Sequence, residues 1–111
     1  MNKGHISSGE VINLKTLKKG KSADTSLALV KTKDMEVIRM VVKRGKAIPE
    51  HSVEGEVSVQ CLKGEVLFRI GEQARTLSKD DWLFLDGGTP HSLHAKEDCI
   101  LLLTILFKHK N

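Results

Sequence analysis

The chain has no tyrosine, one tryptophan and three phenylalanines, so aromatic residues make up only 4% of its 111 residues. A surface that stacks single-stranded bases is therefore not written into it. Cysteine is also sparse. Cys61 and Cys99 stand far apart and form no CxxC pair, which excludes a disulfide framework and a zinc-ribbon spacing, and both read as small buried apolar residues. Long hydrophobic runs are absent as well. Cys99 to Leu103, continued by Ile105 to Phe107 after Thr104, reaches about half the ~20 residues of a membrane-spanning helix. The opening MNKGHISSGE has no apolar signal core, and the cytoplasm is the expected location, with no membrane partner. Helical periodicity is scarce too. The formal charge is +4, and four of the basic residues crowd into KTLKKGK at 15–21. Such a tract is able to meet phosphates, but without interleaved aromatics it reads as a solvated turn, and nucleic acid is not an expected partner.

What the sequence does have is short alternating or β-branched runs, separated by turn residues at intervals of roughly eight to twelve positions. The strand candidates are EVINLKTL, SLALVK, MEVIRMVVK, EVSVQCL, EVLFRI, ARTLS, DWLFL, HSLHA and CILLLTILF. KKGK, TKD, KRGKAIPE, LKGE, IGEQ, SKDD, DGGTP and KED punctuate them with Gly, Pro and Asp, as turns require. Within EVSVQCL the period of two puts Val57, Val59 and Cys61 on one face and Glu56, Ser58 and Gln60 on the other. In EVLFRI it sets Val66, Phe68 and Ile70 against Leu67 and Arg69. At this length one domain is expected over residues 1–111, with a core barrel at about 27–107.

Two patches carry a more specific pattern. Gly45 is followed after five residues by His51, and Gly64 closes the strand that follows; later, Gly88 precedes His91 in DWLFLDGGTPHSL. This layout resembles the two conserved motifs of the small single-domain cupins, G-x5-H-x-H-x3,4-E-x6-G and G-x5-P-x-G-x2-H-x3-N, and the likeness runs from about Met35 to Phe107. It implies an all-β fold, the antiparallel double-stranded β-helix or jelly-roll barrel. The departures are as specific as the matches. Val53 stands at the second histidine, Val57 at the glutamate, Asp80 at the second motif's opening glycine, Asp86 at its proline and Ala95 at its asparagine.

In cupins the motif side chains converge inside the barrel on a divalent iron, manganese, nickel or zinc ion. Here the resemblance leaves only His51 and His91 as metal ligands, a partial site that two imidazoles hold weakly. His94, three residues from His91, points to the opposite face of a regular strand, and Glu56 and Gln60 have the wrong parity relative to Val57. The leading expectation is a small-molecule-binding barrel with a degenerate metal site and a pocket lined by His51, Val53, Val57, Val59, Cys61, Phe84 and His91. One alternative is a metal-dependent dioxygenase or isomerase. Another is a metal-free enzyme with His51 or His91 as general base, oriented by Glu50, Glu54 or Asp86. Trp82 is expected in the barrel packing, and no substrate is named by any of these residues.

CILLLTILF does not alternate, so both faces of that strand call for cover. A homodimer is expected, with an N-terminal strand at about 8–18 exchanged between copies.

Overall fold

The computed structural model describes residues 5–17 and 25–108, and the basic stretch at 18–21 lies outside them. Nine strands and no helix are found among the described residues. They are β1 (Leu27–Lys31), β2 (Met35–Val42), β3 (Ala47–His51), β4 (Val57–Lys63), β5 (Val66–Ile70), β6 (Gln73–Leu77), β7 (Trp82–Leu85), β8 (His91–Ala95) and β9 (Cys99–Leu106). One sheet has the order β1-β2-β9-β4-β7 and the other β3-β8-β5-β6, and every pairing is antiparallel. The expected jelly-roll barrel is thus the fold observed.

The core lies between the two sheets and follows the period-two pattern. Val57, Val59 and Cys61 are buried on β4, and Val66 and Phe68 on β5, while the residues between them are less buried. β9 sits in the middle of the larger sheet and presents Cys99 and Leu101 to the core. Its Ile100, Leu102 and Thr104 face outward and are half-buried, beside Gln60 and Ser58 of β4.

The connections sort to two ends of the barrel. Loops 43–46, 64–65, 78–81 and 96–98 cluster at one end, which we call the base; there Gly45 N–H donates to Ala95 O, and Cys61 N–H to Asp81 O, both at 2.9 Å. Turns 32–34 and 71–72 and loops 52–56 and 86–90 lie at the other, the mouth, where Gly88 N–H donates to Val53 O at 2.7 Å and Leu106 N–H to Glu56 O at 2.9 Å.

Two strand expectations need correction. EVINLKTL is irregular chain with a turn, because the Asn13 carboxamide oxygen accepts from the N–H groups of Lys15 and Thr16 and folds the backbone back on itself. Residues 5–17 instead lie against the larger sheet: Ile6 N–H donates to Leu29 O, and the buried Arg39 donates through Nε to Leu14 O. Conversely, KRGKAIPE reads as a turn, yet its last four residues together with His51 form β3. β3 is an edge strand, where a missing N–H is tolerated, and its register shifts between Ile48 and His51.

Candidate functional site

His51 ends β3 and His91 begins β8, and the β3–β8 register sets them directly opposite each other. Their ring centroids are 4.4 Å apart with an interplanar angle of 55°. On the other side of His91 the register places Ile70, and the ring of Phe68 stacks on His91 at 6.4 Å. His91 is buried, at 6% exposure, while His51 is open to solvent.

Both rings are held in the same way. His51 Nδ1 lies 3.1 Å from Pro49 O and His91 Nδ1 lies 2.9 Å from Thr89 O, each the carbonyl two residues upstream. A carbonyl oxygen only accepts, so in each neutral ring Nδ1 carries the proton and Nε2 is left with its lone pair. The orienting group is thus a backbone carbonyl for each ring, and not Glu50, Glu54 or Asp86 as the general-base reading required.

The motif glycines confirm the register. Gly45, Gly64 and Gly88 have φ of +83°, +82° and +81°, and Asp80, standing where the family has a fourth glycine, keeps the left-handed conformation at +75°. Aspartate tolerates that region better than most side chains. Backbone geometry has therefore outlived the residue that normally supplies it.

The remaining site expectations divide. Val53 is half-buried and packs against the core beside the mouth. Val57, Val59 and Cys61 face inward as expected but are only 4%, 1% and 0% exposed. Even an enclosed cavity wide enough for water would leave area accessible on its walls, so these three belong to solid core and do not line a pocket. Phe84 is a plain correction: its partner across the β4–β7 ladder is Ser58, so it shares the outer face, 46% exposed. Trp82, opposite Gln60, is likewise outside at 63% exposure and stacks on Phe84 at 6.4 Å. The parity error arose from DWLFL, in which four consecutive apolar residues hide which ones point in. His94 is exposed on the outer face, as its parity predicted.

Two residues were missed. Glu36 lies opposite Ile105, on the inward row of β2 at the mouth, and Arg39 is buried on the outer face beneath residues 5–17. MEVIRMVV offers no alternation that would have revealed either.

The metal set implied by the resemblance does not fit these residues. Among the described residues no group of three or more His, Cys, Asp or Glu side chains is placed to hold an ion. Val53 and Val57 contribute neither donors nor charge.

At the base, by contrast, the polar side chains turn to the backbone. The single S–H of Cys61 is shared between Lys63 O and Gly64 O, each 3.4 Å from Sγ, and that of Cys99 between Glu65 O and Glu97 O at 3.0 Å. Burial pushes both thiols above their ordinary range. The exposed Asp98 carboxylate accepts from Arg44 N–H at 2.8 Å, which holds its pKa below the usual carboxylate value. A concavity of about 590 Å³ also lies at this end, outside the barrel, between residues 12–15, β4, the 79–80 turn and Ile100.

A family model described as a cupin domain matches residues 38–105. The chain belongs to the cupin family. A conserved Streptococcus pyogenes protein of unknown function has a similar structure, with a TM-score of 0.78 at 23% identity over 95% of this chain and 93% of its own. A cupin superfamily protein from Desulfitobacterium hafniense also gives 0.78, at 17% identity over 96% and 97%. KdgF from Halomonas sp. gives 0.70 at 18% identity, covering 88% and 94%. At these identities the likeness concerns the fold. No curated protein matches the chain.

Proposed function

We propose that this cupin is a small-molecule-binding module whose site is the mouth of the barrel, centred on His51 and His91. The observation that carries it is the opposed pair of rings, each with Nδ1 committed to a backbone carbonyl and Nε2 left over, beside half-buried Val53, Ile48 and Ile70. A few oriented polar atoms amid apolar surface is the usual composition of a ligand site. Native mass spectrometry of protein purified without chelator is the first test. A stoichiometric organic adduct that disappears in His51→Ala supports the reading, and an adduct unaffected by that change places the site elsewhere.

The second reading, a metal-dependent dioxygenase or isomerase, draws on one feature: metal-bound histidines also give their other N–H to a carbonyl. Elemental analysis separates the two readings. One tightly held iron, manganese, nickel or zinc per chain favours the enzyme, and the binding module predicts far less.

We further propose that the protein works as a homodimer through the outer face of the larger sheet. Trp82, Phe84 and Leu106 are exposed on that face, and residues 8–17 lie along the same sheet, within reach of exchange between copies. A stable interface buries about 1,600 Å² in total. Leu103, in contrast, faces inward opposite Val59, so a change there tests the core and not the dimer. Trp82→Ser with Phe84→Ser should shift sedimentation from dimer to monomer at micromolar concentration while leaving the β-sheet circular dichroism intact. The cytoplasm remains the proposed location; no described helix is long and apolar enough to cross a membrane.

A further inference from the structure

We infer that the paired imidazoles make an acceptor-only site, which selects a small organic ligand by a hydrogen-bond-donating head group, such as a phenolic hydroxyl, and disfavours carboxylates. This inference rests on the binding-module reading of the same mouth and adds the chemistry of the ligand to it.

Three observations converge. First, the only proton on each neutral ring is spent: His51 Nδ1 faces Pro49 O at 3.1 Å and His91 Nδ1 faces Thr89 O at 2.9 Å. Whatever meets Nε2 must therefore bring its own hydrogen. Second, the register lines up His51, His91 and Ile70 across three neighbouring strands at the mouth, so the two acceptors share one opening bounded by an aliphatic side chain. Val53, in the loop that follows His51, adds a half-buried apolar side chain at the same end. A ligand filling it has an apolar body and a polar head.

Third, the charges around the opening have one predominant sign. Loop 52–56 carries Glu54 and Glu56, loop 86–90 carries Asp86, and turn 71–72 carries Glu72, all exposed. Among the described residues the cations at this end are Lys31, Lys33 and Lys108, fewer than the carboxylates, which also include Asp34 and Glu36. An anionic head would meet lone pairs and carboxylates together, and both repel it. A donor head meets the opposite situation, since each ring offers it an acceptor nitrogen and the surrounding carboxylates favour the partial positive charge of its hydrogen.

The test uses the 111-residue chain with three probes of similar size, 4-ethylphenol, 4-ethylanisole and 4-ethylbenzoate, followed by ¹⁵N long-range spectra of the histidine rings at a pH where both are neutral. Without probe, both rings should show protonated Nδ1 and bare Nε2; an Nε2–H tautomer in either overturns the inference. With 4-ethylphenol, the Nε2 resonances of His51 and His91 should move, with at least ten-fold tighter binding than the anisole and the benzoate weakest. Equal affinity for phenol and anisole would mean selection by apolar contact alone, and tightest binding of benzoate would mean the rings act as donors. Either result overturns the acceptor-only site but leaves the binding module standing. His51→Phe, at an exposed position that a ring can still fill, should abolish the phenol preference. If no probe moves either ring the inference is wrong, and if purified protein also carries no organic adduct, the binding-module reading falls with it.

Discussion

The two ends of this barrel spend their polar side chains differently. At the base, Cys61 and Cys99 each reach two carbonyls of the same or a neighbouring turn, and Asp98 takes the N–H of Arg44. At the mouth, His51 and His91 use one ring nitrogen on the backbone and keep the other free of any protein partner. Base groups fully committed to the chain contribute to stability, whereas groups committed only by half are oriented without being consumed. The family's motifs pass through both ends and both carry departures, Asp80 and Ala95 at the base and Val53, Val57 and Asp86 at the mouth, but only those at the mouth remove metal donors.

The comparison breaks most visibly at Gly64. Its φ of +82° and the Asp98 carbonyl beside it leave no place for a Cβ. Gly64→Ala should cost about 3 kcal/mol or more, read from the urea midpoint, because left-handed strain and a backbone clash add. A loss under about 1 kcal/mol would mean the base is far softer than described.

At the mouth, Val53→His with Val57→Glu restores the missing family donors. Without metal, a carboxyl placed where Val57 is 4% exposed should destabilise the protein by about 3 kcal/mol. Adding nickel or zinc should recover most of that loss, and calorimetric titration should show one ion per chain. No recovery would put the inward register of Val57, or the motif alignment itself, in error.

Cys61→Ala should cost about 1–2 kcal/mol, through a small void and two carbonyls left without their thiol. His51→Ala, at the open end, should stay within about 0.5 kcal/mol of the parent. That contrast is the comparison in its sharpest form, and equal costs would erase it.

Alkaline pH tests the base by another route. Both thiols are raised in the folded protein, so the unfolded chain releases their protons first as pH climbs through the ordinary thiol value of about 8.5. The thiol contribution is fully present below that pH and is lost as pH rises toward the folded pKa values. Denaturation midpoints should therefore fall on the alkaline side, and Cys61→Ala with Cys99→Ala should flatten the decline. A small gain is expected at Asp80, where glycine removes left-handed strain. Asp80→Gly should gain about 0.5–1 kcal/mol, measured by the same melt.

Much of this was legible in the sequence, for physical reasons that vary by residue. Alternation in EVSVQCL and EVLFRI gave the buried faces correctly, because a strand covered on one side leaves a period of two in its residue types. The spacing from Gly45 to His51 to Gly64 located one histidine, and Gly88 located the other. β3 was lost because proline counts against a strand unless one knows that the strand lies at an edge, and edge position is a property of the sheet. Phe84 was placed inside because aromatic character signals burial only on average, and in WLFL both parities are apolar. The depth of the opening was not legible either. Whether Val57, Val59 and Cys61 surround a space or fill it depends on how far the opposing sheet closes over them.

The position of β9 has a consequence for how the molecule is made. It is the last of the nine strands along the chain, yet in space it separates β2 from β4. During vectorial synthesis, residues 35–42 and 57–63 emerge long before the strand that both must pair with. Until 99–106 arrives, two long apolar strands wait with unpaired edges, a slow and aggregation-exposed interval typical of sheets built from distant segments. A ribosome stalled anywhere before β9 would hold a chain unable to close its larger sheet, and for this barrel completion of the core is a late and single event.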